Sequence, residues 1–275
     1  MKKYSYVYAL WAAIFIVFPI ILIFMYSFNG SSSMGFENFE FSLANYKSFF
    51  EPLYLKILGI SVGVALLSTV VCLLIGYPVA YIIANLKPSI RQNVILLFII
   101  PMWMNFLLRT YAWLTILGNN GLLNKAFALI GLGPFDLMYN MNAVMIGMIY
   151  NFLPFMVLPI YTILLKIDKN LLDAASDLGA NKFKVFTKVI LPLSLPGVYT
   201  GITMVFIPAI STFVISNLLG GHNIYLIGNL IDQQFSFTGN WGFGSAVSMI
   251  LIFILLIIMG VNKIFDKNHE GGNIF

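Results

Sequence analysis

The feature that most constrains this chain is a series of apolar runs, each long enough to cross a lipid bilayer. The hydrocarbon core is about 30 Å thick, and a helix needs about 20 residues to cross it. Six runs meet that length, near Tyr6–Phe28, Ile57–Ile83, Val94–Leu117, Ala143–Leu165, Leu195–Leu219 and Gly244–Asn262. The predicted fold class is therefore all-α: a polytopic membrane protein with six transmembrane helices.

The composition excludes an ordinary soluble domain. Hydrophobic residues make up 60% of the 275 positions, charged residues only 9%, and the mean hydropathy is +0.93. The first run follows Lys2 and Lys3 but is too long for a cleaved signal and lacks an A-x-A pattern, so it predicts a retained anchor. Cys72 is the single cysteine, which excludes a disulfide framework. Without a repeat or linker, residues 1–275 are predicted to form one transmembrane domain.

The distribution of basic residues predicts the orientation in the membrane. If the amino terminus is cytoplasmic, six spans place the carboxyl terminus there as well. Eleven of the 15 bases then lie on the inner side: Lys2, Lys3, Lys87, Arg91, Lys166, Lys169, Lys182, Lys184, Lys188, Lys263 and Lys267. An excess of Lys and Arg in cytoplasmic loops is the rule for such proteins. Because these bases are spread over several loops, the net positive charge does not indicate a nucleic-acid partner.

Two pairs of glycines predict close helix packing. Gly59 and Gly63 lie four residues apart, as do Gly197 and Gly201. Small residues at this spacing let two helix backbones approach each other in lipid.

A charged stretch, residues 168–194, lies on the predicted cytoplasmic side. Asn170 is a candidate N-cap for a short helix, and Asp173 and Asp177 suit the positive end of its dipole. Gly179 is the residue type that commonly ends a helix. The sequence therefore predicts one short amphipathic helix that stops at this glycine.

A second short helix is predicted to follow in the same stretch. Asn181 is its candidate N-cap, and Pro192 and Pro196 are expected to end it before the fifth span. Two such helices could lie flat on lipid headgroups or fill a groove on a soluble partner. The acids Asp173 and Asp177 favour a protein partner, because anionic headgroups would repel them.

The same stretch resembles the "EAA…G…I-LP" loop of bacterial ABC-importer permeases, the inner membrane components of binding-protein-dependent transport systems. The matching residues are Asp173, Ala174, Ala175, Gly179, Val189, Leu191 and Pro192. Asp173 stands where that family usually has glutamate, and Val189 where it usually has isoleucine. In the family this loop forms coupling helices that sit in a cleft of the ATP-binding subunit. We therefore call residues 168–194 the coupling loop.

Other segments, such as "IPMWMNFLLRTYAWLTIL" and "NLIDQQFSFTGNWGFGSAVSMI", resemble the spermidine/putrescine branch of the family. The resemblance implies a polyamine permease in the bacterial plasma membrane, with both termini cytoplasmic. It implies a second homologous permease, two ATP-binding subunits and an extracytoplasmic binding protein as partners. The chain contains no G-x-x-x-x-G-K-[ST] motif, so ATP and Mg²⁺ are expected on the partner ATPase and no cofactor or metal on this chain.

A path for polyamines should offer carboxylates, carbonyl oxygens and aromatic faces, because ammonium groups favour all three. The candidates are Trp103, Asn105, Tyr111, Tyr150, Asn151, Asn229, Asp232 and Trp241. A structural role is the alternative for each, since Trp and Tyr gather at membrane interfaces and Asn can bond to a neighbouring helix.

Arg109 falls inside the third predicted span and does not fit a path for cations. One interpretation is structural: the side chain reaches the interface or pairs with an acid such as Asp136 or Asp232. The other is that Arg109 attracts an anion, which would make the chain an anion permease of the same superfamily. We favour the structural interpretation.

Two other classes are disfavoured. A secondary transporter usually carries carboxylates within its spans, and none of the 10 acids lies clearly inside one. An enzyme needs a nucleophile with a base or a metal cluster, but the only histidines are His222 and His269, and H-E-x-x-H and G-x-S-x-G are absent from the sequence.

Overall fold

The computed structural model describes residues 11, 13–30 and 39–270. In chain order its main helices are α1 (Ala13–Ser27), α2 (Ala44–Phe49), α3 (Pro52–Ala84), α4 (Pro88–Trp103), α5 (Phe106–Leu117), α6 (Leu122–Leu129), α7 (Met141–Leu164), α8 (Lys169–Asp177), α9 (Lys182–Ser211), α10 (Ile227–Gln233) and α11 (Trp241–Glu270). Short helical turns also cover Ser216–Gly220, Gly221–Asn223 and Gln234–Thr238. Within the described ranges, β pairing is limited to one isolated bridge between Asn29 and Phe41. The predicted all-α class is confirmed.

The six predicted spans compare with four or five candidate spans among the described residues. Among the described residues, four helices are long and apolar enough to cross a membrane: α3, α7, α9, and α11 from Trp241 to Asn262. α4 and the segment Phe106–Leu129 form a fifth span if the two are treated as one broken helix, whose parts meet at an angle of 98°. α1 is apolar but shorter, and residues 1–10 of the first predicted span lie outside the described ranges.

The third predicted span, Val94–Leu117, is broken rather than continuous. α4 ends at Trp103, Met104 is extended, and α5 begins after Asn105. The Asn105 side-chain oxygen accepts hydrogen bonds from the backbone N–H groups of Leu107 (2.8 Å) and Leu108 (3.4 Å). A cap of this kind stabilises a new helix start, and Pro101 has already removed one donor from the preceding turn.

The fifth predicted span starts earlier than expected, and the prediction that Pro192 and Pro196 end a helix is wrong. α9 runs without interruption from Lys182 to Ser211. A π-helical turn covers Phe186–Ile190, and the N–H of Leu191 bonds to the carbonyl of Phe186. The wider hydrogen-bond spacing before Pro192 lets the helix continue through a residue that has no N–H. The predicted second short helix is thus the first part of the longer helix α9.

The described residues divide into two compact units. The larger comprises residues 61–225 and 259–275, and its centre is the contact between α7 and α9. A Cβ atom on Gly197 would lie 2.9 Å from the Pro159 carbonyl oxygen and 3.0 Å from the Ile160 Cα atom. The predicted close approach is confirmed for Gly197 and its neighbour Gly201, whose added Cβ would lie 2.7 Å from the Met156 sulfur.

The other predicted glycine pair makes no such contact. A Cβ atom on Gly59 or Gly63 would meet no described atom within 4 Å. The spacing alone therefore did not identify which pair packs against another helix of the chain.

A buried hydrogen bond joins α3 to α9 within the larger unit. The Tyr77 hydroxyl lies 2.7 Å from Ser194 Oγ, and Ser194 Oγ itself donates to the Leu191 carbonyl at 2.9 Å. The tyrosine is therefore the donor of the shared bond. Both side chains are buried.

Tyr77→Phe is expected to destabilise the chain by about 1 kcal/mol, because interhelical hydrogen bonds in membranes contribute about that much. The measurement is thermal unfolding of the purified chain in detergent. Tyr81→Phe is the matched control, since both rings pack against Phe186, at 5.9 Å for Tyr77 and 5.4 Å for Tyr81. Equal losses for the two variants would contradict the assignment.

The smaller unit comprises the described residues up to position 60, together with residues 226–258. After α1 the chain turns, and Asn45 Nδ2 donates to the carbonyls of Asn29 (2.8 Å) and Ser27 (3.3 Å). The start of α11 packs against this turn, because a Cβ atom on Gly242 would lie 2.6 Å from the Asn29 carbonyl oxygen.

Candidate functional site

The coupling loop is built from helix caps and one left-handed glycine. α8 begins after Asp168, whose Oδ1 accepts a hydrogen bond from the N–H of Asn170 at 3.0 Å. The N-cap is therefore Asp168, and the prediction of Asn170 as the cap is wrong. Gly179 has a φ of +81° and follows the end of α8, which confirms the predicted stop. Asn181 caps α9 by accepting from the N–H of Lys184 at 2.9 Å, as predicted.

The same loop exposes apolar side chains beside charged ones. Leu178 is 90% exposed and Phe183 is 74% exposed. A cavity of about 300 Å³ is lined by Ala175, Leu178, Gly179, Ala180, Lys184, Lys188 and Val189. Exposed apolar groups with polar residues around them are typical of a surface that binds another protein.

The loop residues singled out from the sequence lie on or beside this surface. Asp173, Ala174, Gly179, Leu191 and Pro192 are exposed, and Ala175 and Val189 are half-buried. The structure brings Ala175, Gly179 and Val189 together around the cavity.

A second candidate site is a cavity of about 510 Å³ inside the larger unit, which we call the Arg109 cavity. The start of α5, the middle of α7 and the end of α9 form its walls, together with residues 212–214. Four phenylalanines line it: Phe106, Phe152, Phe155 and Phe213. The backbone leaves helical geometry on two sides, at Met104–Asn105 and at Thr212. Non-helical backbone at membrane depth occurs where protein or a cavity shields it.

Arg109 and Asn151 supply the buried polar groups of this cavity. Arg109 is 7% exposed, and its Cζ atom lies 6.0 Å from the centre of the Phe106 ring. Asn151 is 1% exposed and donates from Nδ2 to the Gly147 carbonyl at 2.9 Å. Among the described residues, no hydrogen-bond partner is present for Arg109 Nε, Arg109 Nη1 or Asn151 Oδ1.

The expected environment of Arg109 is not what the structure has. The side chain is buried, so it does not reach an exposed position. Asp136 lines a different cavity, and the Asp232 carboxylate accepts a hydrogen bond from Ser236 Oγ at 3.1 Å. The sequence could place Arg109 in a span but could not show which groups surround it.

The other candidates for the substrate path in the larger unit lie outside the lining of the Arg109 cavity. Trp103 is 80% exposed, and Tyr111 is also exposed. Tyr150 is exposed and packs edge-on against Trp113, with ring centres 5.3 Å apart. Asn105 uses its side chain as the α5 cap. Their predicted contact with substrate stays a prediction.

The three candidates in the smaller unit each make a local contact. Asn229 is buried, and its Oδ1 accepts from the N–H of Leu226 at 2.8 Å. Asp232 bonds to Ser236, and the Trp241 ring lies 5.2 Å from that of Phe235. A role in transport for these residues also stays a prediction.

Sequence reasoning missed a polar cavity of about 700 Å³, which we call the Asp136 cavity. Its polar lining residues are Asn119, Asn120, Asp136, Tyr139 and Asn223. Asp136 is exposed, so its carboxylate is available to a ligand. The signal in the sequence was the presence of two adjacent asparagines and an acid between the third and fourth predicted spans.

Comparison with known sequences gives consistent matches. Residues 73–270 match the family of binding-protein-dependent transport system inner membrane components. The spermidine/putrescine transport system permease protein PotB of Haemophilus influenzae is 37% identical over 266 residues, covering 94% of this chain and 93% of that protein. PotB of Escherichia coli is also 37% identical over 266 residues, covering 94% and 97%. The permease protein YdcU of Escherichia coli is 26% identical over 238 residues, covering 82% and 76%.

Comparison with solved structures identifies the same fold. A chain of a bacterial ABC transporter involved in the import of alginate has a TM-score of 0.80 at 15% identity, covering 97% of this chain and 96% of that chain. A chain of the MetNI methionine ABC transporter has a TM-score of 0.58 at 17% identity, covering 78% and 95%.

Proposed function

The chain belongs to the family of binding-protein-dependent transport system inner membrane components, and from this premise we propose that it is the permease subunit of an ATP-driven importer of polyamines. The observation that carries the proposal is the 37% identity over 266 residues to permeases named for spermidine and putrescine. The similarity covers 94% of the chain, so it includes the membrane spans as well as the coupling loop.

The assembly is inferred from the family and from the coupling loop. A second homologous permease completes the path, two ATP-binding subunits carry ATP and Mg²⁺, and an extracytoplasmic binding protein delivers the solute. The exposed Leu178 and Phe183 support contact with an ATP-binding subunit. Lysines in the coupling loop support a cytoplasmic location for it, with both termini on the same side.

The mechanism that follows is alternating access. ATP binding closes the two nucleotide subunits, and the coupling loop moves with them. Because α9 begins inside this loop and continues to the Arg109 cavity, movement at the cytoplasmic end changes the walls of the cavity. The path then changes from inward-facing to outward-facing.

The Asp136 cavity supports a cationic solute. Its carboxylate, amide and hydroxyl groups are oxygen acceptors that suit ammonium groups. We infer that it is a first contact for a polyamine on the outer side of the membrane.

One observation favours a second candidate function. Arg109 is a buried cation without a counter-charge among the described residues, and a cation on the path suits an anionic solute. An anion importer of the same family is therefore the alternative.

The test is ATP-driven uptake of radiolabelled spermidine and putrescine into vesicles that contain the reconstituted complex. We expect saturable uptake that sulfate and phosphate do not inhibit. Vesicles loaded with a non-hydrolysable ATP analogue are the control for energy coupling. Uptake of the anions, with the polyamines ignored, would contradict the proposed substrate and favour the alternative.

A further inference from the structure

The Arg109 cavity holds a positive charge that nothing in the described chain neutralises. A guanidinium stays protonated in proteins and offers five N–H donors. Arg109 is only 7% exposed, and within the described residues its Nε and Nη1 atoms have no acceptor. A buried charge of this kind is strongly destabilising unless a partner is present, and in membrane spans such residues are normally paired.

The four acids of the larger unit whose side chains are described do not line the Arg109 cavity. Asp136 lines its own cavity, and Asp168 caps α8. Asp173 and Asp177 are exposed on the coupling loop. Asn151 is the other buried polar side chain lining the Arg109 cavity, but its amide carries no charge and its Oδ1 lacks a partner as well. The described side chains therefore supply no counter-charge for Arg109.

The surroundings of the cavity restrict what can bring that charge. Four phenylalanines line the cavity. A group that binds Arg109 there is therefore a single anionic group attached to a largely apolar molecule or helix. The α5 residues beside Arg109, Leu107 and Leu108, are exposed, as is Met104 at the break. Exposed apolar residues next to a buried cation suit contact with a transmembrane helix that carries one acid.

We propose that the Arg109 cavity is the docking site for a membrane-embedded carboxylate of the second membrane subunit. The inference rests on the proposed function in one respect, the presence of that subunit. A polyamine brings only positive charge, so the proposed substrate cannot be the counter-ion of Arg109. A carboxylate accepts charge-assisted hydrogen bonds from a guanidinium, which gives the contact both strength and orientation.

The first test measures assembly. Affinity-tagged parent, Arg109→Gln and Arg109→Glu chains are co-expressed with the second membrane subunit, and the amount of that subunit purified with each is compared. We expect both variants to retain roughly 10-fold less of it, because they remove one partner of a buried pair. Arg91→Gln is the matched control: it removes one arginine charge from a residue that lies outside this cavity, beside Tyr81 and Asn85, and it should assemble like the parent.

The second test keeps the proposal falsifiable if the single variants fold poorly. In the Arg109→Glu background, each Asp or Glu within the spans of the second subunit is changed to Arg in turn. Restored co-purification for one such exchange would support the proposal and identify the acid. If no exchange restores assembly, or if Arg109→Gln assembles as well as the parent, the proposal is overturned.

A third measurement separates a protein carboxylate from a dissolved one. The parent complex and the Arg109→Gln complex are titrated with sodium acetate, with sodium chloride as the ionic-strength control, and thermal unfolding is followed. Two results together would overturn docking in favour of a solute site. Acetate would raise the unfolding temperature of the parent complex but not that of the Arg109→Gln complex, and the Arg109→Gln chain would assemble normally. If acetate does not stabilise the parent complex, the result supports docking of a protein carboxylate. These readouts do not involve polyamine uptake, so failure of the proposed substrate would leave the inference standing.

Discussion

Gly179→Val is expected to separate ATP hydrolysis from solute uptake in the assembled transporter. Gly179 has a φ of +81°, a conformation that costs an L-residue about 1–2 kcal/mol and is least tolerated by β-branched side chains. A Cβ atom there would meet nothing within 4 Å, so the strain comes from the backbone conformation and not from a clash. The chain can relieve this strain only by changing the turn. That change reorients α8 with respect to the start of α9.

The measurement is ATP-dependent uptake beside ATPase activity in the same reconstituted complex. We expect uptake to fall by roughly 10-fold, because a backbone strain of about 1–2 kcal/mol lowers the population of the docked loop by about that factor, while hydrolysis persists without stimulation by solute. Gly179→Asn should retain most of the uptake, since asparagine tolerates the left-handed region better than valine.

Gly131→Val is the matched control for backbone strain. Gly131 has a φ of +75°, and a Cβ atom there would also meet nothing within 4 Å, but it lies in another loop. The two substitutions therefore impose the same local strain at different surfaces. If Gly131→Val lowers coupling as much as Gly179→Val does, or if neither has an effect, the coupling role of Gly179 is wrong.

Gly197→Leu is expected to prevent the larger unit from packing. Its Cβ would lie 2.9 Å from the Pro159 carbonyl oxygen and 3.0 Å from the Ile160 Cα atom, which are backbone atoms. Backbone cannot move aside as a side chain can, so α7 and α9 would have to separate. Overpacking typically costs about 1–3 kcal/mol and more where the backbone shifts, and we expect a cost of about 3 kcal/mol or above.

The readout for Gly197→Leu is the yield of folded chain in the membrane and its unfolding temperature in detergent. Gly260→Leu is the control, because it adds the same side chain to a helix where a Cβ meets nothing within 4 Å. Normal yield and stability of Gly197→Leu would mean that the contact between α7 and α9 is looser than the distances indicate.

Local signals explain what the sequence could predict. Apolar runs longer than 20 residues have few alternatives to a membrane helix, so the all-α class followed directly. Gly179 and Asn181 were identified because a helix stop and a helix cap depend on residues within one turn. The family of the chain followed from the coupling loop for a related reason, since its motif is short and contiguous.

Features that depend on distant residues were not predictable in this way. The Arg109 cavity, which follows the break at Asn105, is formed by α5, α7 and α9, and these helices are far apart in the sequence. The helix continues through Pro192 because a π-helical turn precedes this proline. The sequence contains no pattern that predicts such a turn. The surroundings of Arg109 likewise come from helices that only the fold brings together.

The continuity of α9 has a mechanical consequence. Its 30 residues, Lys182–Ser211, make a rod of about 45 Å at a rise of about 1.5 Å per residue. One end lies in the coupling loop, the other lines the Arg109 cavity, and Gly197 rests against α7 between them. Because a single helix joins the coupling loop to the cavity and contacts α7 between them, a displacement of its cytoplasmic end is transmitted to the cavity walls within one element.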